Sequence, residues 1–177
     1  MKNKVFASLA AVALAFAAPA MAQKSAGNMV DDGTIATSVK GSLLAEKGVP
    51  SGDVNVEVYK GVVLLSGFVK TQAEKDAAGK VAKNVKDVAS VRNEIAIHPG
   101  TSMGTKLDDT VLVSKVKTAL IDAKDVKSGQ INVEARGGIV QLGGFVTGEK
   151  MKERAIAVAK GVSGVKRVDN ALFVKPE

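Results

Sequence analysis

The stretch Gly61-Val62-Val63-Leu64-Leu65-Ser66-Gly67-Phe68-Val69 returns 77 positions later as Gly138-Ile139-Val140-Gln141-Leu142-Gly143-Gly144-Phe145-Val146. The same offset carries Val39 onto Val116, Leu43 onto Leu120, Asn55-Val56-Glu57 onto Asn132-Val133-Glu134, and Asn93 onto Asn170. No gap is needed between 31–97 and 108–174, and 27 of the 67 aligned positions are identical. A repeat of this length means one small folding unit built twice, which fixes the domain plan before any element is assigned. The repeated run is too short for a helix that spans a core. Bounded by glycines and rich in β-branched residues, it reads as the most buried strand of each repeat.

The rest of each repeat can be assigned around that strand. Ile35, Val39 and Leu43 recur every four residues behind Asp31-Asp32, which predicts a helix with an Asp as N-cap. Leu112, Val116 and Leu120 repeat it behind Asp108-Asp109. Val54, Val56 and Val58 alternate with polar residues, as do Ile131, Val133 and Ala135, and predict a half-buried strand. Tyr59-Lys60-Gly61 predicts a tight hairpin turn, and its counterpart places Gly137-Gly138 where positive φ is needed. Thr71-Gln72-Ala73-Glu74 predicts a capping box that opens a second helix, with Asn84 and Gly161 as left-handed residues at its end. Its apolar face is Ala78, Val81, Ala82 and Val85, matched by Ala155, Val158, Ala159 and Val162. A last strand through Val91, Asn93, Ile95 and Ile97 completes the repeat. The expected class is α+β: two tandem α-β-β-α-β domains, 31–97 and 108–174. Each is a three-stranded mixed sheet with two helices on one face, joined by a linker over 98–107.

Ahead of the repeats, Lys2 and Lys4 precede an apolar stretch from Val5 to Ala18 and the small-x-small sequence Ala20-Met21-Ala22. Residues 1–22 therefore read as a secretory signal cut after Ala22, leaving Gln23 as the mature N-terminus and the periplasm as the compartment. The mature chain is expected to have no transmembrane span. No cysteine is present, so disulfides, thiol nucleophiles and a lipid-bearing cysteine are excluded.

Candidate chemistry is sparse. His98 is the only histidine and lies beside Pro99 in the linker, which leaves no partner for a metal and no preorganised base. Glu57 and Glu134 occupy equivalent positions, as paired acid–base carboxylates would, but they fall in different repeats. Polar alternation already accounts for them, as a solvated sheet face or a contact between repeats. The glycine-rich pieces match neither a phosphate loop nor a dinucleotide fingerprint, so no cofactor is expected. Aromatic residues make up 3% of the chain, too few for nucleic acid to be a partner. Residues 31–97 carry nine basic and nine acidic groups, whereas 108–174 carry eleven and eight, net +3. The surplus sits near the second helix of the second repeat, where Lys150, Lys152, Arg154 and Lys160 accompany Met151 and Ile156. A basic helix with an exposed apolar residue could rest on anionic headgroups, although Glu149 and Glu153 oppose this and a solvated helix back explains the charges equally well.

The element order and the paired Gly-x-Val-x-Leu-x-Gly-Phe-Val motifs resemble the BON domain, a module of bacterial periplasmic and outer-membrane-associated proteins. Gly61, Val63, Leu65, Gly67, Phe68 and Val69 carry the likeness, with Gly138, Val140, Leu142, Gly144, Phe145 and Val146 in the second repeat. The resemblance implies a non-enzymatic envelope or osmotic-stress protein that binds partly unfolded or envelope proteins. Its alternative implication is a phospholipid-binding module acting through the basic helix. Phe68 and Phe145 are expected to anchor the core of their own repeats.

Overall fold

The computed structural model describes residues 31–100 and 103–175. The signal sequence, its cleavage after Ala22 and the new terminus at Gln23 lie outside the described residues. The first repeat runs α1 (Asp32–Ala45), β1 (Val54–Tyr59), β2 (Val62–Val69), α2 (Gln72–Lys83), β3 (Ser90–Asn93) and β4 (Ala96–Ile97). The second runs α3 (Met103–Asp122), β5 (Asn132–Arg136), β6 (Ile139–Val146), α4 (Glu149–Lys160) and β7 (Arg167–Val174). A short 3-10 turn, Ser51–Asp53 or Ser128–Gln130, leads into the first strand of each.

β2 and β6 are central. β1 pairs with β2 antiparallel, as a hairpin allows, and β3 and β4 pair with β2 in parallel after the crossover through α2. β5, β6 and β7 repeat this order. Helices cover one face of each sheet. Val63, Leu65 and Val69 of β2 meet Ile35, Val39 and Leu43 of α1 and Ala78 and Ala82 of α2 in one apolar cluster. Val140, Leu142 and Val146 meet Leu112, Val116, Leu120, Ala155 and Ala159 in the other. The four-residue spacing of the first helices is thus the core stripe that the sequence predicts.

The hairpin turn is of the two-residue kind with positive φ at both positions, 50° and 76° at Lys60 and Gly61 and 64° and 84° at Gly137 and Gly138. That geometry points two N–H groups outward, and the preceding helix satisfies them. Asp32 accepts from Lys60 N and Gly61 N at 2.7 and 2.8 Å, and Asp109 accepts from Gly137 N and Gly138 N at 2.8 and 2.9 Å. The N-cap expectation holds in position for the first helix only, because Asp108 and Asp109 lie inside α3 and cap nothing. Asp31 holds the N-cap position without a side-chain cap bond, and its neighbour ties the helix to the hairpin. Asp109→Ala should cost about 2–3 kcal/mol in urea unfolding, because two charge-assisted bonds disappear from a buried carboxylate.

Three further expectations change. The capping box of Thr71 and Glu74 forms, but Asn84 and Gly161 adopt right-handed helical angles. The left-handed residues come three positions later, at Asp87 and Gly164, where the chain turns toward its last strand. Helix α3 starts at Met103, inside the segment read as linker, and takes in Gly104 ahead of Lys106 and Leu107, which favour helix. The last strand of the first repeat is broken after Asn93, whereas β7 runs unbroken over eight residues.

Candidate functional site

The helix-free faces of the two sheets pack on each other. β2 turns Leu64, Ser66 and Phe68 to that side, and β6 turns Gln141, Gly143 and Phe145, all of them buried. Gly143 sits so close to Ser66 that an added Cβ would lie 2.6 Å from its Oγ. The contacts at the first strands are reciprocal. Asn55 Nδ2 donates to Glu134 Oε1 at 3.2 Å, and Asn132 Nδ2 donates to Glu57 Oε1. Asn55 and Asn132 are counterparts in the repeat, as are Glu57 and Glu134, so the repeats are related by an approximate two-fold axis through this interface. The two glutamates therefore join the repeats and do not form one carboxylate pair.

The interface also relocates the phenylalanines. Phe68 and Phe145 are buried, but they belong to neither helix-side cluster. Their register on β2 and β6 places them one residue out of phase with the core-facing valines, so they anchor the joint between repeats. Phe68 lies 5.6 Å from the guanidinium of Arg136 and 6.4 Å from the ring of His98. Phe145 packs against Tyr59 at 5.7 Å. Arg136 also pairs with Asp53 of the other repeat at 3.2 Å.

Gln141 explains the broken strand. A parallel ladder that pairs Leu65 with Asn93 would next join Gly67 N–H to the Glu94 carbonyl. The Gln141 carboxamide is interposed there instead. Its Oε1 accepts from Gly67 N, and its Nε2 donates to Glu94 O at 2.8 Å. The equivalent positions of the second repeat, Gly144 and Ala171, stay in an uninterrupted ladder. The residue aligned with Gln141 is Leu64, which has no polar head to insert. One side chain of the second repeat thus completes the sheet of the first, and nothing completes the second in return.

The two Asn–Glu bonds also differ in environment. Glu134 is exposed, whereas Glu57 is half-buried against the Gly144–Phe145 backbone. Burial pushes its carboxyl above the usual range, against the pull of the Asn132 and Phe145 hydrogen bonds and of Lys40 and Lys175. A folded-state value raised above the unfolded one contributes stability that is present below the unfolded pKa and lost as pH climbs through the folded value. Glu57→Gln should remove that loss. The difference in melting temperature between variant and parent should grow as pH rises above the unfolded carboxylate value of about 4, and a constant difference would refute the assignment.

The residues picked out for lipid contact are less available than their spacing implies. Met151 is corrected from an exposed to a core residue: it is 8% exposed and joins Ala155 and Ala159 on the buried stripe of α4, at four-residue spacing. Lys152 pairs with Glu149 at 2.7 Å, and Arg154 with Asp125 at 3.3 Å. Lys150 and Lys160 remain exposed. Gly61 and Gly138 serve the hairpin turns, and Gly67 and Gly144 serve a close approach to the 3-10 turns. His98 bonds its neighbour's carbonyl at 2.6 Å. Among the described residues no group of acids and histidines could hold a metal ion, and no helix is long and apolar enough to cross a membrane. Gln141 went unpredicted. Its signal is the exchange of an apolar residue, Leu64, for a polar one within the repeated run.

Comparison with known proteins agrees with the two-fold organisation. The family described as BON domain matches twice, over residues 31–99 and 108–176. Osmotically-inducible protein Y of Escherichia coli is 38% identical over 84% of this chain and 75% of its own length. Outer membrane lipoprotein DolP of Haemophilus influenzae is 32% identical over 82% of this chain and 75% of its own.

Proposed function

Because the chain belongs to the BON-domain family, with one domain in each repeat, we propose that it is a non-enzymatic envelope and osmotic-stress protein that binds partly unfolded or envelope proteins in the periplasm. The observation that carries this reading is the 38% identity with Osmotically-inducible protein Y across 84% of the chain. The geometry favours binding over catalysis. The polar residues with catalytic potential, Glu57, Glu134, Asn55 and Asn132, are engaged with each other across the interface.

Contact with anionic phospholipid is the second reading, and the likeness to Outer membrane lipoprotein DolP supports it. This sequence contains no cysteine to carry an acyl group, and the reading rests on the surface charge of α4. On α4 only Lys150 and Lys160 project freely, and each cation near an anionic surface contributes about 1 kcal/mol before salt screening. The test uses the chain without residues 1–22. Carboxymethylated α-lactalbumin, a permanently unfolded polypeptide, should bind it in a fluorescence-anisotropy titration at physiological salt. Vesicles containing phosphatidylglycerol should not sediment it. Vesicle binding without binding of the unfolded polypeptide would reverse the order of the two readings.

A further inference from the structure

The interface that joins the repeats has the chemistry of a receptor for an extended strand. Between β2 and the β3–β4 strand the sheet of the first repeat is parted by the width of one amide group, with Gly67 N–H on one side and the Glu94 carbonyl on the other. A carboxamide that enters perpendicular to the sheet satisfies both, and an apolar side chain satisfies neither. Leu64 and Phe68 flank the gap on the same face, and the small Ser66 lies between them. The occupant in the structure shows what fits. It is a strand that presents Gln141, Gly143 and Phe145 on one side: a carboxamide, then a residue with no side chain to meet Ser66, then an aromatic ring.

We propose that this helix-free face of the first repeat is the client-binding surface. It is uncovered when the repeats part, and it selects extended segments of partly unfolded proteins that carry a carboxamide, a small residue and an aromatic residue at alternate positions. The inference rests on the protein-binding function proposed above and names its site and specificity.

Two features favour parting. Part of the interface is polar: two Asn–Glu bonds, the Asp53–Arg136 pair and the two bonds of Gln141 cross it, and the Asn55–Glu134 bond is exposed at its rim. Interfaces of that kind between domains of one chain permit relative motion. Closure also confines the Glu57 carboxylate, which is better solvated when the repeats are apart. The second repeat is then a built-in competitor, since β6 occupies the site from within the same molecule.

The natural absence of cysteine makes the test direct. Asn55→Cys and Glu134→Cys, together in one chain, place thiols at the rim, where a short reducible bis-maleimide holds the repeats closed. The probes are a labelled peptide with the sequence of β6, Ile139–Val146, and the same peptide with Gln141→Leu, each with a solubilising lysine tail. The unlinked protein should bind the parent peptide about tenfold more tightly than the leucine peptide, the difference made by two hydrogen bonds that leucine leaves unmade. The linked protein should bind neither, and cleaving the linker should restore binding. Equal affinity for both peptides, or undiminished binding by the linked protein, would overturn the proposal. Binding of carboxymethylated α-lactalbumin by the unlinked protein separates the two levels. If that polypeptide binds and the peptide does not, the site is wrong and the function stands. If neither binds, both fall.

Discussion

Gly144→Ala is expected to unfold the second repeat. A Cβ at this position would lie 2.2 Å from the Gln130 carbonyl oxygen, a backbone atom, and 3.1 Å from Glu57 Oε2. The Gln130 carbonyl cannot retreat easily, because it belongs to a 3-10 turn pinned by hydrogen bonds from Gln130 N to Lys127 O and from Ile131 N to Ser128 O. The glycine also holds φ at 143°, where an L side chain is strained. Clash and strain together should cost more than about 4 kcal/mol, which is most of the margin of a small domain. Gly67→Ala repeats the situation against the Asp53 carbonyl, also at 2.2 Å, with φ at 114°. Gly129→Ala is the control, since nothing lies within 4 Å of its added Cβ, and it should change stability by less than about 0.5 kcal/mol. Urea unfolding followed by limited proteolysis measures all three. A loss below about 1 kcal/mol for Gly144→Ala would mean that the strand enters the hairpin by a different path.

The second large effect crosses from one repeat to the other. Gln141→Leu installs the residue that the first repeat carries at the aligned position and preserves the bulk of the side chain. It also deprives Gly67 N–H and the Glu94 carbonyl of their partners in a buried place. Two such groups left unmade should cost about 2–4 kcal/mol, and the loss should register in the first repeat although the substitution lies in the second. Hydrogen exchange locates it. The Gly67 amide should lose protection, while the β6–β7 ladder keeps its own. If Gly67 stays protected and stability holds within about 1 kcal/mol, β2 and the last strand have closed on each other directly and the bridge contributes little.

Most of the architecture is legible in the sequence because it rests on local rules. A helix face every four residues, alternation in β1 and β5, a two-glycine turn and a capping box each follow from side-chain direction or a single backbone angle. The site is much less legible. Leu64, Phe68 and Phe145 make the central strands apolar on both faces, which announces that both are covered without saying by what. Phe68 reads equally well as a core anchor or as an interface anchor, because phase along a strand matters only once the helices have chosen a side. Asp32 and Asp109 look like caps because each precedes an apolar stripe of four-residue spacing, and only the three-dimensional approach of the hairpin shows that their bonds go elsewhere. Met151 sits among lysines in sequence and among alanines in space, since one turn of helix separates those two neighbourhoods. Gln141 is visible in the alignment of the repeats as an apolar-to-polar exchange, but its two bonds join residues 74 and 47 positions away, beyond the reach of any local pattern.

The reciprocity of the Asn–Glu bonds has a consequence for how such a protein can arise. A single domain with asparagine and glutamate two residues apart on its first strand can meet an identical domain through both bonds at once, as the halves of a symmetric dimer do. Joining two such domains in one chain replaces dependence on concentration with an effective local concentration in the millimolar range. The join also frees the halves from having to match. In a dimer of identical chains each domain would insert a glutamine into the other, and both sheets would be parted. In the fused chain Gln141 can be acquired on one side while Leu64 is kept on the other, so duplication turns a self-association into a lock and a key that are inherited together.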